Sequence, residues 1–364
     1  MKLILIFLLF FININTLVFS QEFRDQLNND KIAAIEIYSD KGDLIGITNL
    51  DGSFPIELKN KILSLNTRYL IFVNSFFENK IIQKDDFKEN TIFKMTPLVN
   101  ELKEVKVFKK KDKGNYLVIK SYFRSMQINN ERVQYFMDGI VEYYVSLKTN
   151  KIKLKILSNR SFENKSINQL KEKGFTNVFF QITGAPMINN LSNYNDLNSN
   201  FTLNKIGSNI NLTTKKGNNL KGIFTSKGKN GNLSLELIDN SNPKIMKGLG
   251  VENILKNYTI NSQFNTSVFE EIDFQTLCYF KELRNYEIKA KKDIGFQKVV
   301  ATHEVFVLNY SFSETIDTRN LDNNYSFKKN SVYSENYWDK VDNTLFQQLP
   351  KSFELYIKEN LVQL

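Results

Sequence analysis

The sequence predicts a mostly β protein: an N-terminal seven-stranded β-sandwich, followed by an antiparallel, β-rich α+β domain that ends in a helical segment. Three observations support this class. Short apolar runs separated by Asp, Asn and Gly turns fill residues 31–108. Longer runs of aromatic and β-branched residues, typical of strands, recur from residue 134 onward. The length of 364 residues suffices for two domains with separate cores.

The first unit is expected to contain short antiparallel strands joined by tight turns. The segment Asn49-Leu50-Asp51-Gly52 is the strongest turn, because Asp and Gly tolerate the positive backbone angles of a tight hairpin. Strands are predicted at 32–38, 44–48, 54–58, 63–65, 69–74, 80–83 and 91–95. Seven strands in so short a stretch are typical of a small antiparallel sandwich.

The residues of this unit carry a family resemblance. The stretch IAAIEIYSDKGDLIGITNLDGSFPIEL presents Gly46, Thr48, Asp51, Gly52 and Phe54 in the order of a hairpin motif. A closing segment follows, with an L-x-E-V-x-V pattern at Leu102, Glu104, Val105 and Val107. Residues 31–108 therefore resemble the carboxypeptidase-D regulatory-like domain of exported Bacteroidetes proteins. The resemblance implies a transthyretin-like sandwich without zinc ligands, and none is present in this segment.

A charged segment is expected to separate the two units. Residues 109–115, KKKDKGN, contain Gly and no apolar side chain, so we predict a linker between a 22–108 unit and a 116–364 unit. Tyr116, Ile119, Phe123 and Met126 follow at the spacing of one helix face, which predicts a helix over 116–127.

The rest of the second unit is expected to be an antiparallel meander that ends in helices. Turns are predicted at Thr149-Asn150, Gly228–Gly231 and Arg284-Asn285, and helices at 335–348 and from Lys351 onward. Strands are predicted at 134–146, 151–157, 201–203, 210–213, 220–225, 233–238, 274–280, 286–291, 298–306 and 307–312. This region resembles uncharacterised regions that follow the sandwich in exported Bacteroidetes proteins, and the resemblance implies no activity.

The amino terminus predicts export. Lys2 precedes an unbroken apolar run from Leu3 to Ile12, and Val18 and Ser20 stand at the positions that a signal peptidase recognises before a cut between Ser20 and Gln21. Residues 1–20 are therefore expected to be a signal peptide, with a retained membrane anchor as the alternative. No cysteine lies near the cut, which excludes lipid anchoring through an N-terminal cysteine. We expect a periplasmic, outer-membrane-associated or cell-surface protein with no later transmembrane segment.

The charge balance does not favour a nucleic-acid partner. Of 49 basic residues only seven are arginine, and the lysines are interleaved with 39 acidic residues. A nucleic-acid binder would concentrate Arg for bidentate contacts. The net charge of +10 favours a weak, salt-screened attraction to an anionic surface.

Few residues suggest chemistry. His303 and Cys278 are the only residues of their types, and both are interpreted as structural, although a Cys278–His303 dyad across neighbouring strands is conceivable. The aspartates Asp40, Asp43 and Asp51 are interpreted as turn formers rather than as calcium ligands. The acidic run Glu270, Glu271 and Asp273 is interpreted as solvated surface rather than as a site of glycoside hydrolysis. The segment Lys227–Gly231 is interpreted as a hairpin turn rather than as a phosphate-binding loop.

The sequence therefore predicts no catalytic, cofactor-binding or metal-binding residue and no cofactor. The favoured function is a non-enzymatic, exported cell-envelope protein with a binding or scaffolding role, whose partner is an envelope protein or polymer. The alternative is a hydrolase acting on an envelope polymer or glycan, with a carboxylate-based site in residues 116–364.

Overall fold

A computed structural model describes residues 21–89, 92–98, 114–130, 132–166, 181–207, 209–248, 250–317, 321–322, 327–340 and 349–364. The predicted class is confirmed: the chain is mostly β, its large sheet is antiparallel, and a helix lies near the carboxyl terminus. The signal segment 1–20, the closing L-x-E-V-x-V pattern and residues 109–113 of the linker lie outside the described residues.

The first unit is built from two small sheets. A parallel pair, β1 and β6, packs against an antiparallel sheet of order β3-β2-β4-β5. Phe23 of β1 lies fully buried between them, 4.6 Å from the ring of Phe72 and 5.5 Å from that of Phe54. The elements are β1 Glu22–Asp25, β2 Glu36–Ser39, β3 Leu44–Ile47, α1 Ile56–Ser64, β4 Tyr69–Asn74, β5 Phe77–Gln83, α2 Lys84–Glu89 and β6 Ile92–Met95.

The prediction of strands at 54–58 and 63–65 is wrong, because α1 occupies this stretch. Leu58 and Ile62, four residues apart, bury one face of α1. Pro55 precedes its first residue, where the missing N–H costs nothing, and Glu57 and Lys61 have the charges that suit its two ends. The first unit thus has six strands in the described residues, including an unpredicted β1.

The second unit is a single large antiparallel sheet of twelve strands. Its order is β10-β11-β12-β13-β15-β16-β17-β7-β8-β9-β18. The short strand β14 pairs with β15, on the same side of β15 as β13. The strands are β7 Tyr116–Asn129, β8 Arg132–Ser146, β9 Ile152–Asn164, β10 Phe201–Ile206, β11 Asn209–Thr214, β12 Leu220–Lys227, β13 Asn230–Ile238, β14 Lys244–Gly248, β15 Val251–Phe264, β16 Leu277–Ala290, β17 Gln297–Ser313 and β18 Leu361–Gln363.

The predicted helix over 116–127 is wrong, since this stretch is the central strand β7. Ile119 and Phe123, four residues apart, share a face in a strand as they would in a helix. A four-residue spacing of apolar side chains therefore does not distinguish a helix from a strand. Both faces of β7 are covered, so its pattern lacks the polar alternation of a half-exposed strand.

The predicted turn at Arg284-Asn285 is also wrong, because β16 runs through it. Arg284 lies within β16. Its guanidinium group donates to the Glu282 carboxylate on the same strand at 3.0 Å and to the Tyr258 hydroxyl on β15 at 3.2 Å. The turns at Asn150 and Gly228, both with positive φ, are confirmed.

Each face of the large sheet has its own cover. The inner face encloses the main core, and residues 181–200, which include α3 (Tyr194–Asn200), run across it. The outer face carries the first unit and α5 (Lys351–Asn360), which confirms the second C-terminal helix. Of the predicted helix 335–348, Tyr337–Lys340 forms α4, and 341–348 lies outside the described residues.

The two units share buried contacts. Tyr38, Leu44 and Val73 of the first unit pack in one cluster with Met126, Leu283 and Phe353 of the second. The two units are therefore packed against each other, and the boundary at 109–115 stays a prediction.

Candidate functional site

His303 lies in a fully buried polar cluster on the inner face of the sheet. It stands directly opposite Ser125 on β7 and Glu282 on β16. The Ser125 Oγ lies 2.7 Å from His303 Nδ1 and accepts a hydrogen bond from the Gly184 N–H at 3.0 Å. Burial lowers the pKa of His303 to about 4, although the Glu282 carboxylate opposes this shift.

This Ser–His–Glu row resembles a catalytic triad only in composition. Ser125 and His303 are each about 1% exposed or less, and residues 182–184 cover them. Both therefore fix the crossing segment on the sheet, and neither is placed where a substrate reaches it.

We expect the neutral, buried His303 to make the protein sensitive to acid. Between pH 6.5 and about pH 4 the unfolded chain takes up a proton that the folded imidazole resists, so stability falls as pH falls through this window. The loss approaches about 3 kcal/mol. In urea denaturation, His303→Gln should have a lower free energy of unfolding than the wild type at pH 8, and this difference should become smaller toward pH 4. A difference that does not change with pH would contradict a neutral, buried His303.

Cys278 and His303 do not form a dyad. Cys278 lies four residues along β16 from Glu282, the partner of His303, which is about 13 Å along a strand. Burial raises the pKa of the Cys278 thiol to about 12, and its Sγ bonds the Thr276 carbonyl at 3.4 Å. The thiol is therefore held protonated.

The aspartates singled out from the sequence form turns, whereas Glu270 and Glu271 lie in a short 3-10 helix. Asp51 accepts from the Ser53 N–H at 2.9 Å, and Asp273 accepts from the Gln275 N–H at 2.7 Å. Asp40 accepts from the Thr67 hydroxyl at 2.8 Å, and Asp43 lies 3.1 Å from the Ser39 hydroxyl. Among the described residues, no three His, Cys, Asp or Glu side chains are grouped to hold a metal ion. Likewise, no described helix has the length and apolar character needed to cross a membrane.

Buried ion pairs join the first unit to the outer face of the sheet. Lys281 Nζ lies 2.8 Å from Glu36 Oε1, and the Tyr38 hydroxyl donates to the same carboxylate at 2.7 Å. Beside them, Arg124 pairs with Glu304. Burial pushes the pKa of Glu304 upward, but Arg124 and Lys281 hold it below its usual value. The cavity here measures only about 30 Å³, the space of one water molecule.

The candidate site is a larger cleft between the two units, with a volume of about 350 Å³. Its floor is the outer face of β11 to β13, and its wall is formed by the loops after β1, β3 and β4 of the first unit. The ion pair between Lys227 and Asp25, at 2.7 Å, closes one part of the rim. Its lining includes Asp30, Asp51, Phe77, Asn209, Ile223, Thr225, Asn232 and Ser234.

Glu236 extends the polar row of the cleft floor. Asn232, Ser234 and Glu236 alternate along β13 and so share a face, and Glu236 lies about 7 Å beyond Ser234. The pKa of Glu236 is raised to about 7, mainly by burial and also by the Asp239 carboxylate, while Lys221 opposes the shift. A carboxyl group that is partly protonated at neutral pH therefore stands next to the cleft.

Sequence reasoning did not find the cleft. Its residues come from 25–77 and 209–234 and follow no local motif. The turn at Asp51-Gly52 was recognised, but only the packing of the units shows that it faces β12 and β13.

Comparisons with known proteins add little. No family model matches the chain, and no curated protein matches it. A solved structure of lipovitellin, described with its lipid–protein interactions, is similar over 60% of this chain and 28% of the lipovitellin chain, at 10% identity and a TM-score of 0.29. The chain thus spans less than a third of that neighbour. At this score the likeness carries no argument about fold or ligand.

Proposed function

We propose that this chain is a non-enzymatic, exported binding protein of the cell envelope, whose ligand occupies the cleft between its two units. The observation that carries the proposal is a cleft of about 350 Å³ lined by both units. This volume lies within the usual range of small-molecule sites, about 300–1,000 Å³. The amino-terminal segment and the resemblance of residues 31–108 to exported proteins support the envelope as the location.

The lining favours a neutral, hydroxyl-rich ligand such as an oligosaccharide. Asn209, Thr225 and Ser234 on the floor offer amide and hydroxyl groups, which both donate and accept hydrogen bonds. Asp30 and Asp51 offer acceptors from the opposite wall. Phe77 and Ile223 provide apolar surface for the face of a sugar ring. Such a mixture of apolar surface and few polar groups is typical of specific ligand sites.

We expect Thr225→Leu to weaken oligosaccharide binding by about tenfold or more. The variant loses a hydroxyl group that can hydrogen-bond to the ligand, and its larger side chain occupies part of the cleft. Isothermal titration with soluble oligosaccharides of several lengths measures the change. Thr202→Leu is the matched control, since Thr202 is exposed on edge strand β10 and does not line the cleft. Equal affinities for both variants, or no binding by the wild type, would contradict the proposal.

A second candidate is a hydrolase acting on an envelope polymer or glycan. The observation that favours it is Glu236, whose raised pKa of about 7 suits a general acid. Incubation of the protein with the bound oligosaccharide, followed by an assay for reducing ends, separates the two functions. Turnover by the wild type that Glu236→Gln abolishes, at unchanged affinity, would establish the hydrolase.

A further inference from the structure

Two hairpins end together at one corner of the large sheet. The β14–β15 hairpin and the β16–β17 turn are neighbours, because Val251 of β15 pairs with Ala290 of β16. The Lys291 N–H donates to the Gly250 carbonyl at 2.8 Å, which joins the two turns. We call residues 244–248 together with 289–296 the basic corner.

The basic corner exposes large apolar side chains. Ile294, at the tip of the β16–β17 turn, is fully exposed, and Ile245 and Phe296 are 56% and 43% exposed. Met246 is also exposed, as is every residue of β14. Single exposed apolar residues are ordinary on protein surfaces, but here Ile294 and Phe296 on the β16–β17 turn add to Ile245 and Met246 on the exposed strand β14. Such a concentration of exposed apolar area marks an interaction site.

The same corner is positively charged. Segments 244–256 and 287–296 contain six lysines and three acidic residues. Two of the acidic residues are paired, Glu252 with Lys247 at 3.0 Å and Glu287 with Lys256 at 3.1 Å, and Asp293 is buried and accepts from the Ala290 N–H. Within the described part of the chain, no salt bridge joins Lys244, Lys289, Lys291 or Lys292 to a carboxylate.

The apolar and charged groups are interleaved. Lys289 Nζ lies 5.9 Å from the centre of the Phe296 ring, and Lys291 and Lys292 directly precede the turn that carries Ile294. This arrangement suits a surface that is anionic outside and apolar beneath: the lysines meet phosphate groups while Ile294 and Phe296 enter the acyl boundary.

We infer that the basic corner docks the protein on the surface of a bilayer containing anionic phospholipid. A second copy of the chain is disfavoured as the occupant, because a two-fold contact would place the same lysines against each other. The contact is peripheral, and it uses the two signals that stable membrane association needs, apolar insertion and electrostatic attraction.

Co-sedimentation with vesicles tests the inference. We expect the protein to bind vesicles of mixed phosphatidylcholine and phosphatidylglycerol, and to bind phosphatidylcholine alone at least about tenfold more weakly. Lys291→Glu/Lys292→Glu should reduce binding to the anionic vesicles by at least about tenfold. Ile294→Ser/Phe296→Ser should reduce it by about tenfold and should remove the part that persists at high salt.

A matched control separates the corner from the overall charge. Lys148 and Lys151 are exposed at the β8–β9 turn, at the opposite end of the sheet, so Lys148→Glu/Lys151→Glu makes the same charge change elsewhere. This control should reduce binding much less than Lys291→Glu/Lys292→Glu. All six substitutions in these three double variants lie on exposed turns, and circular dichroism verifies folding. Three results would overturn the inference. They are an equal loss of vesicle binding in the two lysine double variants, equal binding to neutral and anionic vesicles, and a dimer in light scattering that Ile294→Ser/Phe296→Ser abolishes.

Discussion

Replacing Lys281 with methionine is expected to destabilise the protein by about 3 to 5 kcal/mol, the usual cost of leaving a buried charge without its partner. The Lys281 and Glu36 side chains are only 4% and 3% exposed, and they join β16 of the sheet to β2 of the first unit. Removal of the ammonium group leaves the Glu36 carboxylate buried with the Tyr38 hydroxyl as a donor. Urea denaturation measured by fluorescence reports the loss.

A double variant separates the buried charge from lost packing. Lys281→Met/Glu36→Gln removes both charges and keeps an acceptor for the Tyr38 hydroxyl, so it should recover most of the stability that Lys281→Met loses. Lys256→Met is the surface control, because its pair with Glu287 is partly exposed and should contribute about 1 kcal/mol or less. A single-variant loss no larger than this control would show that the two units do not bury this pair.

Replacing Gly52 with valine is expected to destabilise the first unit by about 3 kcal/mol or more, through backbone strain and a steric clash together. Gly52 has a φ of +75°, which a β-branched residue resists. A Cβ built there would lie 2.9 Å from the backbone oxygen of Ile32, which cannot move aside as a side chain would.

Gly228→Val is the matched control, since Gly228 has a φ of +60° but open space around its Cβ position. Gly228→Val should lower the free energy of unfolding through backbone strain alone, by about 1 to 2 kcal/mol. Phe54→Ala should cost about 3 to 5 kcal/mol, because the Phe54 ring packs against Phe23 and Phe87 in the core of the first unit. Thermal melting of the full chain measures all three. Equal effects at Gly52 and Gly228 would contradict the close approach to Ile32.

These variants also test how the two units unfold. Because Tyr38 and Val73 belong to a cluster that includes residues of the large sheet, a change in the first unit should lower the melting temperature of the whole chain. Two separate transitions, with the second unchanged in Gly52→Val, would indicate that the shared cluster contributes little to stability.

Part of this structure is determined by short-range sequence. The mostly β class follows from aromatic and β-branched runs, and the turns at Gly52, Asn150 and Gly228 follow from residues that tolerate positive φ. Helix α5 follows Pro350 and has apolar residues at helical spacing. These features depend on each residue and its near neighbours, so the sequence by itself determined them.

Other parts were decided by tertiary packing. Ile119 and Phe123 share a face in a helix or a strand, and only the pairing of β7 with β8 and β17 makes that segment a strand. The burial of His303 depends on residues 182–184, more than a hundred positions away, which cross the sheet over it. The cleft and the basic corner likewise join distant segments. Their composition is visible in the sequence. The parts of the cleft are brought together by the packing of the first unit on the large sheet, and those of the basic corner by the pairing of β15 with β16, neither of which a local pattern encodes.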